Sequence, residues 1–237
     1  MPTPDATSHA TPNGTRGFAD RHGALGPEAF RSLGSTGLLV SGVGFGCHRI
    51  DADHAEHAAS LRDALRMGCN LLDTSATNGD GASERVVGQV LRAMIAEGTV
   101  AREEVVVVSQ IGSVQGGHWI QPDVLSEQLG SSLARLGLDA LDACLLHEPE
   151  HDRPERRAEF ERRIHAAFAR MEDECDAGRI RFYGVSSDAF VKPADDEDAT
   201  SLTRMLEIAR EVAEQRGSAP DAHRFRADKK IAAKALQ

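Results

Sequence analysis

Short, nearly unbroken apolar runs alternate along this chain with longer stretches in which apolar residues return every three or four positions. The runs read as strands and the stretches as amphipathic helices, because side chains repeat every two residues along a strand and every 3.6 around a helix. VGFGC, residues 43–47, is the first full strand. HAEHAASLRDALRMG predicts a helix stopped by Gly68, followed by the strand CNLLDTS. The unit recurs as the helix SERVVGQVLRAMIAEG, its start marked by Ser83 and Glu84 and its end by Gly98, and the strand EEVVVVSQIG. PDVLSEQLGSSLARLG opens on Pro122 and leads to LDACLLHE. A long charged helix over residues 154–177 stops at Gly178 before IRFYGVSS. SLTRMLEIAREVAEQRG then precedes HRFR, which reads as the start of a sixth strand.

Strands of continuous Val, Ile and Leu are covered on both faces, so the pattern predicts a parallel sheet alternating with helices. A (β/α) barrel and a doubly wound sheet both fit. The first βα turn, GFGCHRID, lacks the GxGxxG of a dinucleotide-binding doubly wound domain, which favours the barrel. Residues 1–28 carry Pro, Thr, Gly, Ala and His without an apolar period and predict a flexible tail. Residues 29–217 form the barrel domain, opened by FRSLGSTGLLVS as a short hairpin, and residues 218–237 a C-terminal tail or partial sixth strand. In either architecture the functional groups gather at the carboxyl ends of the strands.

Composition narrows the classes of function. The 237 residues, 41% of them hydrophobic, suffice for one sizeable core. A formal charge of -10 with 4% aromatic residues argues against nucleic acid and anionic membrane surfaces as partners. Cys47, Cys69, Cys144 and Cys175 are scattered without a CxxC, which suggests reduced thiols and a cytoplasmic address. No apolar run approaches the ~20 residues that span a bilayer, and the first residues lack the basic and apolar blocks of a signal peptide.

Polar residues recur where the strands end: Cys47 and His48, Asp73, Ser109 and Gln110, His147 and Glu148, Ser186 and Ser187. All are expected to face one mouth, where a carboxylate, an imidazole and hydroxyls could polarise a carbonyl or hold a carboxamide. Each also has a plainer use. Asp73 could cap the following turn, and His147 could be a satisfied near-core histidine.

Taken together, these residues resemble the aldo-keto reductase superfamily in order and position over most of residues 31–187. Gly68, LLDTS and NGDGASERVVG resemble the family's second strand and following turn. VVVVSQIG resembles its third strand, LDACLLHEPE its histidine-bearing fourth, and GRIRFYGVSSDAF its Gly-Lys-Ile-Arg-x-x-Gly-Val-Ser-Asn strand. The resemblance implies a (β/α)8 TIM barrel, here incomplete with about five to six βα units. It implies reduction of a small carbonyl compound, or oxidation of an alcohol, with NADP(H). In the family a Tyr hydroxyl donates the proton, a Lys paired to an Asp lowers that Tyr's pKa, and a His orients the substrate. Asp73 and His147 match the Asp and His, whereas the Tyr falls on Asn78 and the Lys on Gln110. Neither amide can act as general acid or supply positive charge near pH 7. The cofactor contacts carried over are Gly46, Cys47, His48, Asp73, Ser186 and Ser187.

Three further expectations follow. The family's phosphate-holding residues would lie in strands beyond this chain, so NADPH binding is expected to be weak or lost, and turnover is expected to be slow because no Tyr and Lys pair supplies the proton. The open barrel edges offer a surface through which a second copy could pair. Tyr183, the only tyrosine, should point away from the barrel interior if Ser186 points in. Other readings are a non-catalytic interaction protein on a degenerate scaffold and, with less support, a metal-dependent barrel hydrolase. The last would draw on HEPEH, residues 147–151, and on His48, His54 and His57, which follow the first strand. No metal ligand is assigned, since charged loop residues such as Glu150 and His151 are more often solvated.

Overall fold

The computed structural model describes residues 8–114, 117–152, 157–191 and 201–228. In chain order a helix α1 (Pro12–Arg21) precedes an antiparallel hairpin, β1 (Phe30–Ser32) and β2 (Leu39–Ser41). Strand and helix then alternate: β3 (Phe45–Gly46), α2 (Ala55–Arg66), β4 (Leu71–Asp73), α3 (Ala82–Ala96) and β5 (Val106–Ile111). A small antiparallel ladder of β6 (Ser113–Val114) and β7 (Gly117–His118) interrupts the rhythm. It resumes with α4 (Pro122–Leu136), β8 (Leu141–His147), α5 (Arg157–Asp176), β9 (Ile180–Ser186), α6 (Leu202–Gln215) and β10 (Phe225–Asp228). The predicted start of the long helix at residues 154–156 lies outside the described residues.

Six of these strands form one sheet in the order β3-β4-β5-β8-β9-β10, every pair parallel. Each strand sits beside its predecessor. A doubly wound sheet reverses its order at a switch point, and this one does not, so the arrangement is of the (β/α)-barrel type. Among the described residues β3 and β10 are its edges. The first strand pairs over only two of the five residues the sequence suggested.

Register partners in a parallel ladder point to the same face. The outer face, with Leu72, Val107, Ile111, Leu146 and Val185, packs on Val87, Leu91, Leu129, Phe168 and Ile208 of the helices to form the main core. Gly88 lets α3 approach α4 closely: a Cβ there would overlap the Leu136 carbonyl. The inner face makes a second cluster, in which Leu71, Val106, Val108 and Phe182 meet Ala10, Leu33, Leu38 and Val40. The hairpin therefore plugs the amino ends of the strands. Fully buried Asn70 pins it there, accepting from Ser41 N at 2.8 Å and donating to Leu39 O at 3.1 Å and Glu104 O at 3.0 Å. The carboxyl ends are left for chemistry.

The expectation of a flexible tail over residues 1–28 fails for residues 8–28. Thr11 Oγ1 caps α1 by accepting from Gly14 N at 2.9 Å, Pro12 occupies its first turn, and Phe18 is fully buried. Ala10 N donates to buried Asp142 at 2.6 Å, and Arg21 forks onto Glu104 at 2.6 and 2.7 Å. The order comes from partners more than 80 residues away, which no local pattern reveals. Residues 1–7 lie outside the described residues. At the other terminus HRFR does enter the sheet, as β10 beside β9.

Candidate active site

Asp73 closes β4 between Gly46 of β3 and Val108 of β5, and Gln110 stands one inner-facing position beyond Val108. Across the two strands Gln110 Nε2 donates to Asp73 Oδ1 at 3.3 Å. Gln110 is 8% exposed, and its Oε1 has no hydrogen-bond partner among the described residues. On the next two strands, β8 and β9, His147 and Ser186 are register partners on the same inner face. Ser186 is fully buried and its Oγ is likewise unpartnered, while His147 remains partly exposed with Nδ1 3.6 Å from Glu148 Oε2. A buried donor or acceptor without a partner costs about 1–3 kcal/mol. Two such groups at one mouth are what a bound polar ligand would satisfy.

Asn78 lies on the loop from β4 to α3. The chain reverses through three successive left-handed residues, Gly79, Asp80 and Gly81 (φ 57°, 53° and 74°), which NGDG supplies. Asn78 Oδ1 sits 3.1 Å from His48 Nδ1. An amide oxygen only accepts, so this bond requires the proton on Nδ1 of His48. His48 thus meets the loop that carries Asn78 with its side chain. The open groove beside the mouth, lined by Thr77, Asp80, Ser113, Gln128 and Arg135 among others, contains none of Asp73, Asn78, Gln110 and His147.

Three of the predicted mouth residues are placed otherwise. Ser109 alternates with Gln110 and faces the helices, donating to Glu84 Oε1 at 2.7 Å, while Arg135 Nε donates to Glu84 Oε2 at 2.6 Å. Glu84 is fully buried, so this is an ion pair inside the outer core. Cys47 is also fully buried; burial first and the charge of Asp73 second push its thiol well above the ordinary range, and only its backbone N–H, 2.8 Å from Asp73 O, reaches the site. Ser187 Oγ is committed to Glu150 Oε1 at 2.6 Å and to Ala189 N at 3.0 Å. Gly46 has open space where a Cβ would stand, so packing does not demand a glycine there.

Ser83 and Glu84, read as the start of a helix, lie inside its first turn rather than capping it. The cap is left-handed Gly81, and the Ser83 hydroxyl instead donates to Cys47 O at 2.8 Å and pairs with Thr74 Oγ1 at 2.7 Å. Tyr183 points outward as expected, edge-on to Phe168 at 5.2 Å and to Phe225 at 5.7 Å. Burial raises its pKa well above the usual phenol value, and its ring lies on the face opposite to that of Ser186.

Sequence reasoning missed His118. It comes from β7 and meets Glu148 and His151 of the loop after β8, across about thirty residues of chain, with no local spacing to announce the meeting.

A match to the Aldo/keto reductase family covers residues 40–205. L-galactose dehydrogenase of Arabidopsis thaliana is 29% identical over 161 residues, which are 66% of this chain and 47% of that protein. An aldo-keto reductase of Mycobacterium avium is 32% identical over 170 residues, 70% of this chain and 52% of its own. The chain spans about half the length of the curated relatives it matches. Among solved structures, an aldo-keto reductase of Bacillus halodurans in its holo form superposes with a TM-score of 0.57 at 27% identity, covering 68% of this chain and 51% of that one. An aldo/keto reductase of Klebsiella pneumoniae in complex with NADP and acetate gives 0.50 at 26% identity, covering 72% and 52%.

Proposed function

The chain belongs to the aldo/keto reductase family, and from that premise we propose that it is an NADP(H)-dependent oxidoreductase of small carbonyl compounds or alcohols whose proton delivery is impaired. One contact carries the reading. Asp73 holds the neutral amide of Gln110 at 3.3 Å where a family site would hold an ammonium group. Without that charge, and with Asn78 in the place of a phenol, nothing in this pair can give up a proton near pH 7.

The remaining groups still suit the reaction. The unpartnered Gln110 Oε1 and Ser186 Oγ fit the donor and acceptor of a carboxamide, so they are the groups that would hold the nicotinamide end of the cofactor. When bound, NADP(H) supplies or receives the hydride. His147, at the same rim as Ser186, is placed to hydrogen-bond a carbonyl oxygen. A protonated imidazole can give up a proton where an amide cannot, so His147 is the proton source this mouth would retain.

The test is NADPH titration of the full chain followed by turnover of nitrobenzaldehyde, with a full-length family reductase as comparator. Trp119, whose backbone N–H donates to Gly112 O at 2.7 Å close to the mouth, provides a fluorescence signal for binding. Loss of general acid catalysis typically costs ~10²- to 10⁴-fold, and a rate lower by that order is expected. A rate within about tenfold of the comparator would overturn the impaired step. Failure of NADPH to bind at any concentration would overturn the oxidoreductase reading and favour a non-catalytic role.

A further inference from the structure

Beside the groups that suit carbonyl chemistry, the β6–β7 hairpin and the loop after β8 bring together His118, Glu148 and His151, with one donor atom from each within 4.8 Å of the others. His118 Nε2 and His151 Nδ1 are 3.4 Å apart. Glu148 Oε2 lies 3.3 Å from His151 Nδ1 and 3.7 Å from His118 Nε2. A tetrahedral zinc ion with ligand bonds of about 2.0–2.1 Å has ligand-to-ligand edges of roughly 3.3–3.4 Å. Two of the three edges already have that length, and the edge between His118 and Glu148 is somewhat longer. The two imidazole rings are not stacked: their planes are inclined at 75° with centroids 4.6 Å apart.

The backbone contributes to this placement. Glu148 follows the last residue of β8 with φ 44°, a left-handed conformation that non-glycine residues rarely adopt. Its N–H stays bonded to Ser186 O at 2.7 Å, so the sheet is kept while the carboxylate turns between the imidazoles. We propose that His118, Glu148 and His151 form a binding site for a single first-row divalent cation, with zinc the best fit. Two imidazoles and one carboxylate are a donor set zinc accepts, and three protein ligands leave the fourth tetrahedral position open to water or a ligand oxygen. His147 Nδ1 faces the same Glu148 oxygen at 3.6 Å, so the cation and His147 share one carboxylate at the rim of the mouth.

A second cluster, Asp51, His54 and His57, has similar composition but a different commitment. His57 Nδ1 accepts the Asp51 backbone N–H at 3.2 Å, which occupies the lone pair a metal would need. His54 Nδ1 is bonded to Asp51 Oδ1 at 2.7 Å, a self-contained pair on an exposed loop. It therefore serves as the control.

The untagged full chain, stripped with a chelator, would be titrated with Zn²⁺ by calorimetry and with Co²⁺ by visible absorption. One ion per chain is expected, with absorption characteristic of tetrahedral Co²⁺. Loss of a partner outside the ligand shell typically costs ~10–100-fold in affinity, so His118→Ala and His151→Ala, which remove ligands, should each cost at least about tenfold. Glu148→Gln keeps the side-chain size and should weaken binding as well, which guards against a variant that merely unfolds; circular dichroism of each variant checks the same point. His54→Ala should change nothing. The proposal is overturned if the stripped chain binds no ion, if folded variants at His118, Glu148 and His151 bind as the parent does, or if His54→Ala abolishes the site. None of these readouts depends on turnover, so a failure here leaves the oxidoreductase reading standing, and the reverse.

Discussion

Gln110 and Asp73 meet across neighbouring strands as an amide donor on a carboxylate at 3.3 Å, with the other half of the amide buried and unpartnered. The position is built to receive a donor from β5, and the donor present carries no charge. Gln110→Lys with Asn78→Tyr would give Asp73 an ammonium partner and restore a phenol whose pKa that charge lowers. The double variant should raise nitrobenzaldehyde turnover over the parent, yet stay below a full-length family reductase. Hydride transfer needs reacting atoms held within about 3–3.5 Å, a demand the two substitutions do not address. Steady-state kinetics of the parent, each single variant and the double variant check this; full activity in the double variant would show that the cofactor is already well positioned.

The Glu84–Arg135 pair predicts a stability effect remote from the mouth. Arg135→Ala leaves a fully buried carboxylate bonded, among the described residues, to Ser109 alone, and breaking a buried pair from one side costs about 3–5 kcal/mol. A loss near the lower end, about 3 kcal/mol, is expected because Arg135 keeps some solvent contact. Urea unfolding measures it. Ser109→Ala should cost less, since one hydrogen bond to a charged group is worth about 1.5–3 kcal/mol.

Phe18 tests whether the amino-terminal helix belongs to the fold. It is fully buried, 6.2 Å from Phe30 ring to ring, and Phe18→Ala should destabilise the chain by about 3–5 kcal/mol. Thermal unfolding of that variant would remain unchanged if residues 8–28 were the flexible segment their composition suggests.

His223 predicts a pH dependence. Its pKa is held below the usual imidazole value, first by burial and then by the Arg226 guanidinium, against the opposing pull of Glu172 and Asp221. Arg226 Nη1 donates to His223 Nδ1 at 3.1 Å, which protonation would break. The unfolded chain therefore takes up the proton first as pH falls. Stability from this group is complete above the ordinary value near 6.5 and declines as pH drops below it towards the folded pKa. His9, lowered by burial and then by Arg181, adds in the same direction. Urea midpoints between about pH 7.5 and 5.5 should fall in the parent and fall less in His223→Gln, as expected for an imidazole of unperturbed pKa about 6.5.

The strand and helix order, the parallel sheet and the position of Asp73, Gln110, His147 and Ser186 at strand ends were legible in the sequence. Each follows from a period of two or 3.6 residues and from the residue type at the end of a run. Facing was legible only in part. Ser109 and Gln110 are adjacent polar residues at one strand end, and a polar residue beside an apolar run says nothing of which side is the mouth until its partners are known. Glu84 and Arg135, contributed by two helices, draw Ser109 outwards.

Local sequence therefore determined the strands of the parallel sheet, the helices between them and their order, because backbone periodicity and chain reversal depend on neighbours a few residues apart. Tertiary structure alone decided three things: that residues 12–21 are a helix held by Asp142, Glu103 and Glu104, that the hairpin plugs the amino ends, and that His118 meets Glu148 and His151. In each case the stabilising contact joins groups separated by tens of residues. Burial and pairing of that kind arise only once the sheet has set which strands are neighbours and which way each side chain faces.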